Sequence, residues 1–133
     1  MRSDMTDAEL GKLSILALAH VGDAVYELLV RTLLAERGVA TAVQLHRETV
    51  ARVKAPAQAK AAAVILPYLT EAEHDVYRRG RNSHVNTVPH GSTPGQYHAA
   101  TALEAVFGWL WLRGERERIH ELFSHITEDY DAT

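Results

Sequence analysis

The stretch from Ile15 to about Arg37 constrains this chain more than any other. Capped by Ser14 and stopped at Gly38, it reads as one long helix. Its apolar residues (Ile15, Leu16, Leu18, Val21, Val25, Leu28, Leu29 and Leu33) lie nearly all round that helix. Such a helix belongs in the middle of a domain, with neighbours on several sides. The candidate neighbours are also helical. One runs from about Val43 to Val53, and an alanine-rich one from Ala57 to Leu66 ends at Pro67. Thr70 and Glu73 form a capping box that opens a short helix to Arg79. A second long apolar helix runs from about Gln96 to Arg113, and a last one from Glu115 to about Ile126. Period-two alternation is nowhere sustained, so the fold class expected is all-α.

The 133 residues are one domain's worth, expected over 1–133 with a polar tail from about residue 128. Hydrophobic residues make up 47% and charged residues 23%, values that suit a globular core rather than disorder. There is no cysteine, which excludes disulfide scaffolds, zinc ribbons and thiol nucleophiles and fits a reducing cytoplasm. No apolar run reaches the roughly 20 residues that span a bilayer. Met1-Arg2-Ser3-Asp4 brings an acid too early for a signal peptide. A soluble cytoplasmic protein with no membrane partner is expected.

Net charge is −3, but its distribution is uneven. No acid lies between Asp75 and Glu104, a gap that holds Arg78, Arg79, Arg81, His84, His90 and His98. The acids gather near the two ends. A basic segment inside an acidic chain suits an anionic ligand, although a solvated loop has the same composition. Gly80 to Gly95 is the long irregular stretch in which that segment lies, and polar loops of this length in small domains are often functional. Guanidinium forks grip phosphate oxygens two at a time. The chain lacks the Gly-x4-Gly-Lys-Ser/Thr spacing of a nucleotide loop, so a phosphate backbone is the expected anion.

Two carboxylates stand out by position. Asp23 interrupts the first long apolar helix, and Glu104 the second. A bare carboxylate in such surroundings costs several kcal/mol unless a cation or hydrogen-bond donors meet it, on the order of what desolvation demands. Small neighbours (Gly22, Ala24, Ala100, Ala105 and Gly108) let the two helices approach closely. A shared hard cation such as Mg²⁺ fits two oxygen ligands of this kind, while two unrelated paired acids remain the alternative. Glu27 lies four residues before Arg31 and is expected in an ordinary helix ion pair. No His-Glu-x-x-His is present, and His120 and His125 are read as surface residues.

These residues carry a family likeness. Gly22-Asp23-Ala24-Val25 followed by Glu27-Leu28 resembles the signature helix of ribonuclease III catalytic domains. Ala102-Leu103-Glu104-Ala105 with Gly108 and Leu110 resembles their second metal-binding helix. Leu16 to Glu27, Arg78-Arg79-Gly80-Arg81-Asn82, Thr87-Val88-Pro89, and Tyr97 with Ala99-Ala100-Thr101 resemble the Mini-III branch, which lacks a double-stranded-RNA-binding domain. The likeness covers roughly residues 10 to 125.

That resemblance implies a helical bundle like the ribonuclease III endonuclease domain. It implies a homodimeric, Mg²⁺-dependent endonuclease (Mn²⁺ substituting) that cuts double-stranded RNA and leaves 5′-phosphate ends in maturation of 23S ribosomal RNA precursor. A ribosomal protein is a further expected partner. Asp23 and Glu104 match the catalytic and metal positions, and Arg78, Arg79, Arg81, Asn82, Lys54 and Gln58 are expected to meet RNA. Larger members carry acids where this chain has Leu16, Ala19 and Thr101, and Mini-III enzymes a lysine where Pro56 stands and another near His90. The aromatic and leucine surplus in Phe107, Trp109, Leu110 and Trp111 suits either a dimer face or a monomer core. Two other classes compete: a catalytically silent helical RNA-binding scaffold, and an HD-type phosphohydrolase built on His74-Asp75 with His46. A scaffold has no use for two costly carboxylates, and His74-Asp75 falls in an acidic helix expected to be exposed.

Overall fold

Most of the helices start where a hydroxyl can accept a free backbone N–H. In the computed structural model, which describes residues 4–83, 88 and 90–132, Thr6 caps α1 (Asp7–Leu10) and Ser14 caps α2 (Ile15–Glu36). Thr41 caps α3 (Ala42–Val53), Thr70 caps α5 (Glu71–Arg81) and Thr93 caps α6 (Pro94–Leu112). α4 (Ala55–Ile65) has no side-chain cap and takes Pro56 into its first turn. Proline is harmless there because the N–H it lacks has no helical partner. That places the start of α4 two residues before the expected Ala57. A 3₁₀ turn (Leu66–Tyr68) links α4 to α5, and α7 (Arg116–Ala132) closes the chain. Among the described residues there is no strand, so the all-α expectation holds.

α6 is the axis of the molecule. Ala102, Leu103, Ala105, Val106, Phe107 and Leu110 on it are completely buried, because α2, α4, α5 and α7 all pack against it. The closest approach is to α2, and two glycines make it. A Cβ on Gly22 would stand 2.5 Å from the Glu104 carbonyl carbon and 2.8 Å from the Gly108 nitrogen. A Cβ on Gly108 would stand 2.8 Å from the Gly22 nitrogen. Backbone therefore lies on backbone at this crossing, a separation that side chains would forbid. Gly80 does the same for α5, where a Cβ would come within 2.9 Å of the Ala102 Cα.

The structure decides four expectations. α2 is not covered all round: Leu16 is 42% and Leu28 57% exposed, because the neighbours of α2 leave one face open. Phe107 and Leu110 are spent in the monomer core, and Trp109 and Trp111 carry Arg113 and Arg116 over their rings, each at 4.5 Å. The supposed polar tail is helical as far as Ala132. Arg37 grips Asp131 with two hydrogen bonds of 3.0 and 2.8 Å, and Arg52 lies 4.4 Å over the Tyr130 ring. Those long-range contacts hold a turn whose own sequence is too polar to bury itself. The irregular stretch is also shorter than expected, since α5 continues through Arg81 and α6 begins at Pro94; residues 84–87 and 89 lie outside the described ones.

Candidate active site

The glycine crossing decides where the two carboxylates go. Asp23 follows Gly22 on α2, and Glu104 is the residue whose carbonyl Gly22 touches on α6. Their carboxyl groups come within hydrogen-bonding reach of each other. Burial first, and then the neighbouring Asp23 charge, outweigh a hydrogen bond from Gln58 and together push the Glu104 carboxyl up from its ordinary 4.5 to about 8. The two acids differ in exposure. Asp23 is exposed and Glu104 half-buried, so the desolvation expected for both falls on Glu104 alone. Among the described residues, no basic side chain pairs with either one. The alternative of two separately paired acids is thereby removed.

Gln58 completes the cluster. It was expected to meet RNA, but it is only 3% exposed and faces inward because α4 packs on α6. Its Nε2 donates to the Val53 carbonyl at 2.8 Å and to Glu104 Oε2 at 3.3 Å. Its Oε1 is buried without a partner. The sequence signal for that role was its place one turn past the break between α3 and α4, where a backbone carbonyl is left open.

Glu27 pairs with Arg31 at 2.5 Å, the ordinary ion pair expected. The positions where larger relatives carry acids are inert here. Leu16 is exposed, Ala19 is packed in the core, and the Thr101 hydroxyl donates to the Tyr97 carbonyl at 3.1 Å. His74, Asp75 and His46 are exposed, with Asp75 paired to Arg78 at 2.5 Å. Among the described residues no three histidine or carboxylate groups gather as a metal cluster. An HD-type centre has no place in this arrangement. His120 is exposed, but His125 stacks on Tyr68 with ring centres 3.7 Å apart.

The basic segment reaches the same face of α2. Arg78, Arg79, Asn82 and Ser83 at the end of α5 border an open groove with Ser14, Ile15 and Leu16. Leu16 and Asp23 are seven residues apart, two turns or about 10 Å along one face of α2. Arg78, Arg79, Arg81 and Asn82 are all exposed. Lys54 is exposed too, but it lines a different, largely apolar cavity of about 370 Å³ between α2, α3, α4 and α7.

The ribonuclease III domain model matches residues 16–115, a span that contains both carboxylates and all four residues of the α5 basic end. The chain belongs to the ribonuclease III family. It is 45% identical over 107 residues to a Mini-ribonuclease 3 of Symbiobacterium thermophilum, covering 80% of this chain and 82% of the relative. It is 44% identical over 128 residues to the Mini-ribonuclease 3 of Gloeobacter violaceus, covering 95% and 90%. The X-ray structure of a Fusobacterium nucleatum protein superposes with a TM-score of 0.82 at 29% identity, covering 91% of this chain and 97% of that one. The chain is thus an endoribonuclease of the Mini-ribonuclease 3 branch, in a family that acts on double-stranded RNA and depends on divalent metal. Among the described residues, no helix is long and apolar enough to cross a membrane.

Proposed function

We propose that this chain hydrolyses phosphodiester bonds of double-stranded RNA with Mg²⁺, that Asp23 and Glu104 hold the metal, and that its substrate is the 23S ribosomal RNA precursor. The observation that carries this reading is a pair of carboxylates pressed together with, among the described residues, no basic side chain paired to either. Burial and then the neighbouring Asp23 charge make an ionised Glu104 costly, and a divalent cation would offset both. The donor set suits a hard ion: two carboxylates, with room for waters because Asp23 opens to solvent. Mn²⁺ shares these preferences for oxygen. The ribosomal substrate and the ribosomal protein helper rest on the Mini-ribonuclease 3 likeness.

The residues divide the work by position. Asp23 and Glu104 present oxygens about two turns of α2 beyond the Leu16 groove, and the Gly22–Gly108 crossing fixes the gap between them. Arg78, Arg79 and Asn82, which border that groove, meet phosphates of the duplex, with Arg81 exposed beside them. Lys54, exposed at the start of α4 and away from that groove, would meet RNA at a separate point. Bound Mg²⁺ supplies Lewis-acid charge and an activated water. In hydrolysis the water oxygen joins phosphorus, the bond to the 3′-oxygen breaks, and the products carry 5′-phosphate and 3′-hydroxyl. One site cuts one strand, so two strands call for two copies of the chain. The row Leu16, His20, Ala24 and Leu28 on the open face of α2 supports a homodimer, because each is exposed and three are apolar.

The test is cleavage of a long RNA duplex and of 23S precursor with mapped ends, using wild type, Asp23→Asn and Glu104→Gln. Both variants should keep the helical circular dichroism and the duplex affinity while cleavage falls by about 10³-fold or more. Normal cutting by both folded variants refutes the assignment.

A further inference from the structure

Gln58 has more to do than fill space. Its side chain is buried, both protons of its amide are used, and its oxygen has no partner. The amide cannot be turned over, because Oε1 would then face the Val53 carbonyl, an acceptor, at 2.8 Å. A buried acceptor left without a donor costs about 1–3 kcal/mol. A methionine or leucine of similar volume would fill the same place without that cost. Orphaned acceptors are rare in folded proteins and point to a water or ion that belongs there. This one shares a planar amide with the nitrogen that touches Glu104.

We propose that Gln58 is a positioning residue of the metal site: its Nε2 holds the Glu104 carboxylate, and its Oε1 accepts a hydrogen bond from a water of the bound divalent cation. This rests on the reading that Asp23 and Glu104 hold that cation. It also gives the α3–α4 break a purpose. The same nitrogen satisfies the carbonyl that α3 leaves open at Val53, so the junction and the carboxylate are set by one side chain. Outer groups of this kind change metal affinity by about 10–100-fold when removed.

The experiment titrates Mn²⁺ alone, without RNA, into wild type, Gln58→Met, Gln58→Glu and Asp23→Asn, reading free Mn²⁺ by electron paramagnetic resonance. Circular dichroism and the thermal midpoint are recorded beside it, with and without Mn²⁺. Both Gln58 variants lose the bonds that the amide nitrogen donates to Val53 and Glu104, so a purely structural role weakens Mn²⁺ binding alike in both. The expected result is divergence: Gln58→Met weakens binding about tenfold or more, and Gln58→Glu, which keeps an oxygen there and adds charge, tightens it. Parallel losses, or a Gln58→Met variant that binds within twofold of wild type, overturn the role of Gln58. If Gln58→Met does not fold, tightening in Gln58→Glu sustains the proposal and weakening overturns it; if neither folds, Gln58 is structural and the proposal falls. A wild type that binds no Mn²⁺, or binding that survives Asp23→Asn, overturns the metal reading itself.

Discussion

Replacing Gly22 with alanine tests the crossing on which the site depends. The new methyl carbon would stand 2.5 Å from the Glu104 carbonyl carbon, whereas ordinary contact begins at 3.4 Å, so α2 and α6 must part by at least about 0.9 Å. A radial gap of roughly 0.5–1 Å forfeits a quarter to a half of each dispersion contact it affects. The contacts at stake are those of Leu18 on α2 and of Leu103 and Phe107 on α6, all essentially buried. Overpacking of this severity costs about 3 kcal/mol or more. Alanine returns roughly 1 kcal/mol through helix propensity, leaving a net loss of about 2 kcal/mol. For a chain of this size that is a fall of about 8 °C in the thermal midpoint. Cleavage should fall more steeply, since displacing a catalytic group by about 1 Å can cost about 100-fold. The assay is thermal unfolding by circular dichroism beside duplex cleavage, with Gly95→Ala as control. Gly95 meets only Thr93 Oγ1 at 3.9 Å, so that change should leave the midpoint level or higher. A Gly22→Ala protein that melts within about 2 °C of wild type and cuts normally would refute the reasoning.

Other consequences follow from the same geometry. Without divalent cation, folded Glu104 keeps its proton up to about pH 8 while the unfolded chain releases it near 4.5, so stability should fall as pH rises through that window. Thermal midpoints across the window should lose this slope in Glu104→Gln, and an unchanged slope would exclude Glu104 as its source. Arg78→Ala and Arg81→Ala should each weaken duplex RNA binding regardless of sequence and reduce the salt-dependence slope by about one unit, as a salt series of binding isotherms will show. If the proposed homodimer uses the row from Leu16 to Leu28, Leu28→Glu should shift the sedimentation mass toward a monomer, because it would bury charge there; an unchanged mass would remove that face from any dimer.

Helices and their starts were legible because their causes are local. Hydroxyl caps, capping boxes and apolar periodicity each act within a few residues, and Thr6, Ser14 and Thr70 stand where the chain itself placed them. The end of α7 was not legible, because its last turn depends on Arg37 and Arg52, far away in the chain. Asp23 and Glu104 stood out by chemistry, as lone acids in apolar helices, and the small residues around them told that the helices could meet.

The sequence by itself determined the set of helices, the two carboxylates and the acid-free basic stretch, since each follows from residue type and spacing along one segment. Only the tertiary structure decided that Asp23 stays in solvent while Glu104 carries the burial, because exposure is a property of the neighbours and not of the helix. It alone turned Gln58 from a presumed RNA contact into a buried partner of Glu104, since the packing of α4 on α6 sets which way that amide faces. It also chose the monomer core for Phe107 and Leu110 and left Leu16 and Leu28 open, for hydrophobicity says that a residue seeks cover and packing says which one finds it.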